Sequence, residues 1–322
     1  MAGGEGESRA GAAAKATGPV GLSSPAVRRG TALGAIATLM WSVYGVLVIS
    51  ARGTPPFLAM TIVFLFSTAT LLLPRLVMRR GLGGLLAIPP ATLALGFLGL
   101  FGSNCFYVLA LASGSNPIAV NIVSFSWPVL MAALVLLVGL ARPTWWDGLA
   151  VVAGFLGVSV VTWRGEAIAI DPGLVLAFGG ALSWALYSGL RRLVPAGPED
   201  SMAAFVATSM VAAFAMHLLT ETTVAIPALD LLALAAVGIL PVGAANLLWD
   251  HGARTGDPVL LAAISFIEPI ISTFLVAIVL GLSVGGNDLV GIGLVLSGIA
   301  LSMAGERRRR RLGRDAEVAT EA

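Results

Sequence analysis

Charge is scarce in this 322-residue chain. Asp, Glu, Lys and Arg together make up 11% of it, against about a quarter in an average soluble domain. A soluble fold needs more than that to cover its exterior. Cysteine occurs once and histidine twice. Cys105 alone excludes an intramolecular disulfide. Two histidines without a Cys/His cluster argue against a zinc site of ordinary spacing. A nucleophile elbow, a His-Glu-x-x-His helix and a Walker phosphate loop are all missing. No loop is long enough to be a soluble ATPase domain. What the chain does have is apolar surface. It is 57% hydrophobic, holds 39 glycines and has a mean hydropathy of +0.95. Lipid is the solvent that tolerates this composition, and glycine suits closely packed membrane helices.

A helix needs about 20 apolar residues to cross the hydrocarbon core. Runs of that kind fall at 31–51, 57–78, 89–112, 117–141, 146–163, 173–190, 202–219, 228–249, 258–282 and 288–304, which predicts ten spans. The breaks carry turn residues, such as Gly53-Thr54-Pro55-Pro56, Gly114-Ser115-Asn116-Pro117 and Asp171-Pro172-Gly173. Residues 1–30 are expected to be a disordered cytoplasmic N-terminus, since the stretch up to residue 25 is rich in Gly, Ala and Ser. The first run is too long for a signal-peptide core and should be retained.

Positive charge in short loops orients membrane proteins. With ten spans and a cytoplasmic N-terminus, 19 Lys and Arg divide unevenly: all but Arg52 and Arg164 fall on the cytoplasmic side. Both termini are therefore expected in the cytoplasm. The basic tail, 305–322, contains the run Arg307 to Arg311, read as a topological anchor rather than a nucleic-acid or anionic-lipid patch.

The two halves of the chain match. At an offset of 141, Gly102, Pro117, Ser124-Phe125, Pro128 and Asp147 meet Gly243, Pro258, Ser265-Phe266, Pro269 and Asp288. At an offset of 143, Trp41 and Tyr44 meet Trp184 and Tyr187. Two five-helix repeats, 31–163 and 173–304, follow. An odd number of spans inverts the second. Inverted repeats are common in secondary transporters, with substrate near the midplane.

Ten residues into a span lies roughly halfway across a 30 Å core. Trp41, Trp127, Trp184 and Glu268 fall near that depth. Trp145, Trp146, Trp163 and Trp249 lie near span ends, as interfacial tryptophans do. Helix packing and cavity lining both account for the deep tryptophans. Pro128 and Pro269 each free the carbonyl four residues earlier, on Ser124 and Ser265, and would act as hinges. Asn104 and Asn121 are polar groups at similar depth, suited to a cavity or to interhelical hydrogen bonds. Glu268 is the one acidic residue deep within a span. An intramembrane carboxyl group usually marks function; a structural hydrogen-bonding role is the alternative. His217 reads as interfacial. Asp250 and His251, beside Arg254 and Asp257, read as a gate or as a solvated loop. Spans one, three, four, six, eight and nine should surround a central cavity. Spans five and ten, with Gly154, Gly157, Gly291, Gly293 and Gly298, should pack outside it.

The segments NIVSFSWP, Asn121 to Pro128, and SFIEPIISTFLVAIVLG, Ser265 to Gly281, resemble the drug/metabolite transporter superfamily, in particular its ten-helix EamA-type exporters. The Trp-Pro pair in span four is similar to the aromatic amino-acid exporter branch. Many members follow spans four and nine with Leu-Gly-Glu. Here Leu140 follows Gly139 and Leu282 follows Gly281. The resemblance covers about 31–304. It implies an all-α integral membrane protein that is not an enzyme, needs no cofactor and exports amino acids from the bacterial cytoplasm through a central cavity by alternating access. Its partners would be the amino-acid substrate and the bilayer, with a monomer as the expected unit. The substrate-binding candidates are Trp41, Tyr44, Asn104, Tyr107, Asn121, Ser124, Trp127, Trp184, Tyr187, Ser265 and Glu268. Drug or other metabolite export is the runner-up. An intramembrane enzyme or a structural membrane subunit is the alternative of another class.

Overall fold

The computed structural model describes residues 25–79, 83, 87–139, 144–162, 171–190, 193–195, 201–255, 264 and 267–321. Regular structure among them is entirely helical. Helices α1 (Pro25–Ser42) and α2 (Tyr44–Ser50) form one rod interrupted at Val43. Next comes α3 (Pro56–Val77). Helix α4 (Pro90–Phe97) continues through a π turn at Leu98–Gly102 into α5 (Ser103–Ala112). Helices α6 (Pro117–Ser124) and α7 (Trp127–Leu137) are separated by a turn at Phe125 and Ser126. Then follow α8 (Trp145–Thr162), α9 (Pro172–Leu190) and α10 (Ser201–Thr220). Helix α11 (Ala228–Ile239) passes through a second π turn, Leu240–Ala244, into α12 (Ala245–Thr255). Last are α13 (Ile267–Leu280) and α14 (Gly286–Glu321).

Seven of these rods, among the described residues, are long and apolar enough to cross a membrane. Three further apolar stretches are shorter: Pro117–Met131, Gly148–Gly157 and Ile267–Leu280. The first helix begins at Pro25, before the apolar run expected from 31, so residues 25–30 are helical rather than disordered. Proline opens α1, α3, α4, α6 and α9. At the first helical position it has no N–H to leave unpaired, and its φ is already helical. The basic tail continues α14 as helix.

Asn116 caps α6, its Oδ1 accepting from the N–H of Ile118 at 2.9 Å and of Ala119 at 3.2 Å. A different cap crosses between helices. Glu221, just after α10, accepts from the N–H of Phe57 at 2.8 Å and Leu58 at 2.9 Å, the opening turn of α3. His217 lies 2.8 Å from the same carboxylate through Nδ1 and 2.9 Å from Thr223 Oγ1 through Nε2. It is buried within this cluster. A carboxylate at a helix N-terminus satisfies orphan amides and complements the helix dipole.

Helix α3 packs on α10, α1 on α12, α5 on α9, α6 on α13 and α8 on α14. The last pair meets through glycine, as the composition of spans five and ten predicts. A Cβ on Gly157 would come within 3.0 Å of the Gly291 carbonyl, and one on Gly298 within 2.8 Å of the Ala150 carbonyl. Gly293 instead faces open space. Two apolar cores flank the middle of the molecule, one around Ile118, Ile122 and Val276, the other around Phe64, Phe205 and Leu234. Large apolar side chains such as Leu65, Phe155, Phe214 and Ile278 point outward. In lipid this carries no penalty, because acyl chains are as apolar as leucine.

Candidate functional site

Four rods lose regular α geometry near mid-length: at Val43, at Phe125-Ser126, and at the π turns of Leu98–Gly102 and Leu240–Ala244. Such irregularity is tolerated at membrane depth where protein or a wet cavity satisfies the backbone, and π turns recur at functional sites. These four breaks surround one cavity of about 350 Å³. Its lining comes from α1, α2, α5, α6, α7, α9, α12, α13 and both π turns. Among the described residues, nothing from α3, α8, α10 or α14 reaches it.

Nine of the expected site residues meet there: Trp41, Tyr44, Asn104, Tyr107, Asn121, Ser124, Trp127, Trp184 and Glu268. Trp127 and Trp184 stand edge-on, with ring centroids 6.4 Å apart. Tyr187 does not join them. Its ring packs behind Trp184 at 5.3 Å and against Phe205 at 6.2 Å, because Gly99 leaves a notch that a side chain would fill. Ser265 lies outside the described residues, as does the side chain of Pro128. Pro269 is buried in the first turn of α13.

The polar groups are largely engaged with each other. The Tyr44 hydroxyl donates to Asn104 Oδ1 at 2.7 Å, and Asn104 Nδ2 donates to the Leu100 carbonyl at 2.7 Å. The Tyr107 hydroxyl donates to Asn121 Oδ1 at 3.3 Å, and the Ser272 hydroxyl reaches the same oxygen at 3.2 Å. Asn121 Nδ2 donates to Thr273 Oγ1 at 3.2 Å. Helices α5, α6 and α13 are thereby tied together. Gly45 sits against this network, where a Cβ would come within 2.8 Å of the Tyr107 hydroxyl. Among the described residues, Glu268 is the one carboxyl group in the lining, and no Lys or Arg is present.

Trp249, read from its position as interfacial, also lines the cavity. Its ring centroid is 5.1 Å from that of Trp41. Helix α12 runs on to Thr255, so Trp249 lies well inside the rod rather than at its end. Asn246, Ser272 and Phe125 were likewise not anticipated. Asn246 had a signal: it stands at an offset of 142 from Asn104. Each donates Nδ2 to the carbonyl four residues earlier, Val242 at 2.9 Å in the case of Asn246. His251 is exposed on α12. The side chains of Asp250 and Arg254, and all of Asp257, lie outside the described residues.

A second cavity, of about 590 Å³, is lined by Arg52, Thr54, Met60, Phe64, Val108 and Leu111 among others. Only Tyr44 and Asn104 line both cavities.

A profile described as the EamA-like transporter family matches residues 171–304. A curated relative from Ancylobacter novellus, named aromatic amino acid exporter YddG, is 30% identical over 286 residues, which is 86% of this chain and 98% of that protein. The chain belongs to the EamA-like transporter family. A second relative of this EamA-like transporter, also named aromatic amino acid exporter YddG and from Salmonella typhimurium, is 26% identical over 212 residues, 62% of this chain and 71% of the other. One solved crystal structure superposes with a TM-score of 0.65 at 26% identity, covering 86% of this chain and 97% of that one. Family membership and the apolar rods make this a multi-pass membrane protein of the transporter class.

Proposed function

We propose that this EamA-like transporter exports amino acids, with a preference for aromatic and other large apolar side chains, across the bacterial inner membrane by alternating access. The observation that carries the reading is the convergence of Trp41, Trp127, Trp184 and Trp249 on one cavity beside polar groups. Flat indole faces stack with a substrate ring, worth about 0.5–1.5 kcal/mol beyond burial. Ser124, Asn246 and Ser272 offer hydrogen bonds to the ammonium and carboxylate ends, which are costly to desolvate unpaired. With no Lys or Arg in the lining among the described residues, the carboxylate is held weakly there, as suits a protein that must release its cargo. The names of both curated relatives support the same reading.

The architecture we propose is ten spans in two inverted repeats, 31–163 and 173–304, with both termini cytoplasmic. Several features support it. The three shorter apolar stretches, added to the seven long rods, bring the spans to the expected number. The π turns stand at corresponding places in the two halves, each followed by an asparagine bonded back to its own turn. Exchanging the halves maps the α1–α12 contact onto the α9–α5 contact. In this orientation the cavity lined by Arg52 opens toward the periplasm. Pro128 and Pro269 are the proposed hinges.

Counterflow of each amino acid in liposomes containing only this protein tests the function. Exchange of tryptophan, phenylalanine and methionine is the expected result. Glu268 and the missing cations favour a second reading, export of organic cations. Movement of cationic drugs with no amino-acid exchange would replace the first reading with the second.

A further inference from the structure

Tyr44 and Asn104 stand between two chambers that carry different ionisable groups. On one side lies the tryptophan cavity with Glu268. On the other, the 590 Å³ cavity has largely apolar walls and, among the described residues, a single Lys, Arg, Asp or Glu in its lining, Arg52. Its volume falls within the range of small-molecule sites, about 300–1,000 Å³. Among the described residues the Arg52 side chain, which is exposed, makes no ion pair or hydrogen bond. The nearby acid Asp230 faces Thr54 instead, with Thr54 Oγ1 donating to Asp230 Oδ2 at 3.4 Å. Arg52 also runs against the topology. In the proposed ten-span topology it is, with Arg164, one of two cations on its side, where the positive-inside bias disfavours Lys and Arg. A free guanidinium at the mouth of an apolar chamber matches a carboxylate attached to an apolar body.

We propose that this chamber is a second cargo site, a release chamber, where Arg52 holds the carboxylate of an amino acid that has passed the Tyr44–Asn104 contact. The proposal rests on the amino-acid export reading. It divides recognition between two places. The tryptophan cavity takes the side chain and the ammonium group. The release chamber takes the carboxylate, for which the first cavity has no cation. Arg52 acts as a binding residue of the exit step and leaves entry from the other side unaffected.

The test is tryptophan exchange in liposomes of determined insertion side, comparing wild type with Arg52→Gln and Arg52→Lys. Half-saturation is measured separately from each face, and tryptamine serves as the carboxylate-free probe. An exposed charge pair is modest in strength. Arg52→Gln is therefore expected to raise half-saturation for tryptophan about fivefold from the Arg52 face and to leave the opposite face unchanged. Arg52→Lys should recover part of the loss. Tryptamine should bind wild type and Arg52→Gln equally. Equal half-saturation for tryptophan in wild type and Arg52→Gln would overturn the proposal, as would equal shifts for tryptophan and tryptamine. A wild-type protein that exchanges no amino acid overturns the export reading itself, and the ligand named for this chamber with it.

Discussion

The indole N–H of Trp41 donates to the carbonyl of Pro241 at 3.0 Å, across two hundred residues of sequence. Pro241 lies in the π turn of Leu240–Ala244, where the regular helical ladder is interrupted. Trp41 thus has two roles. Its ring lines the cavity beside Trp249, and its N–H bonds a carbonyl within the break. Trp41→Phe keeps a ring and removes the donor. A buried acceptor left without its partner costs about 1–3 kcal/mol. Thermal unfolding of the purified protein should show that loss as a lower midpoint. An unchanged midpoint would mean another donor takes over.

Tyr44→Phe removes one hydroxyl from the contact between the chambers and leaves the ring in place. The Asn104 oxygen loses its 2.7 Å partner. Water should then pass more readily between the chambers. With Cys105 replaced by serine and Ser103 by cysteine, a charged thiol reagent added on the Arg52 side should react several-fold faster in the Tyr44→Phe background. Equal rates with and without the hydroxyl would show that this contact is no barrier.

Trp127→Ala should impair aromatic cargo more than alanine or glycine, because it deletes one face of the Trp127–Trp184 pair. Trp249→Ala should do the same, since it stands against Trp41. With about 0.5–1.5 kcal/mol per aromatic contact, the expected loss is about three- to tenfold in exchange of tryptophan. A uniform loss across all cargo would point to misfolding and is checked by size-exclusion profile.

Glu268→Gln retains shape and hydrogen-bonding capacity while removing the ability to ionise. If export exchanges a proton for substrate, this carboxyl is the group placed in the cavity to carry it. The variant should fold normally and show a flattened pH dependence of transport. Identical pH profiles for wild type and variant would exclude Glu268 from proton coupling.

Glu221→Ala should destabilise without touching the cavity. It strips two backbone amides of α3, on Phe57 and Leu58, of their acceptor and leaves His217 with one partner fewer. Hydrogen bonds to a charged group are worth about 1.5–3 kcal/mol each before relaxation. A drop in the thermal midpoint with unchanged half-saturation for cargo is the expected pattern.

Much of the site was legible from hydropathy and spacing, and the reasons differ by residue. The rods contributing to the tryptophan cavity are those predicted to surround one, because deep polar and aromatic residues in lipid have few other places to go. The π turns were not legible. Widening a turn by one residue leaves the run as apolar as before and changes only the hydrogen-bond pattern. That hidden shift also bears on Trp249, which counts as a terminal residue only if span eight ends at 249. Tyr187 failed for a local reason: the absent side chain of Gly99 opens a pocket behind Trp184, a relation between spans three and six that no single run reveals. The Glu221 cap was equally invisible, because its partners are main-chain amides with no residue signature.

The glycine contact between α8 and α14 has a consequence for the ribosome-bound chain. Gly157 and Gly298 belong to segments separated by most of the second half. While that half is being synthesised, the face of α8 around Gly157 has lipid where its partner will be. The first half therefore waits in the bilayer, incompletely packed, for the segment that emerges last among the apolar runs. A chain cut short before Gly286 would leave that face uncovered in the bilayer, whereas the full chain covers it with Gly291 and Val295. Packing of the first half is thus completed only by an apolar run from the far end of the second.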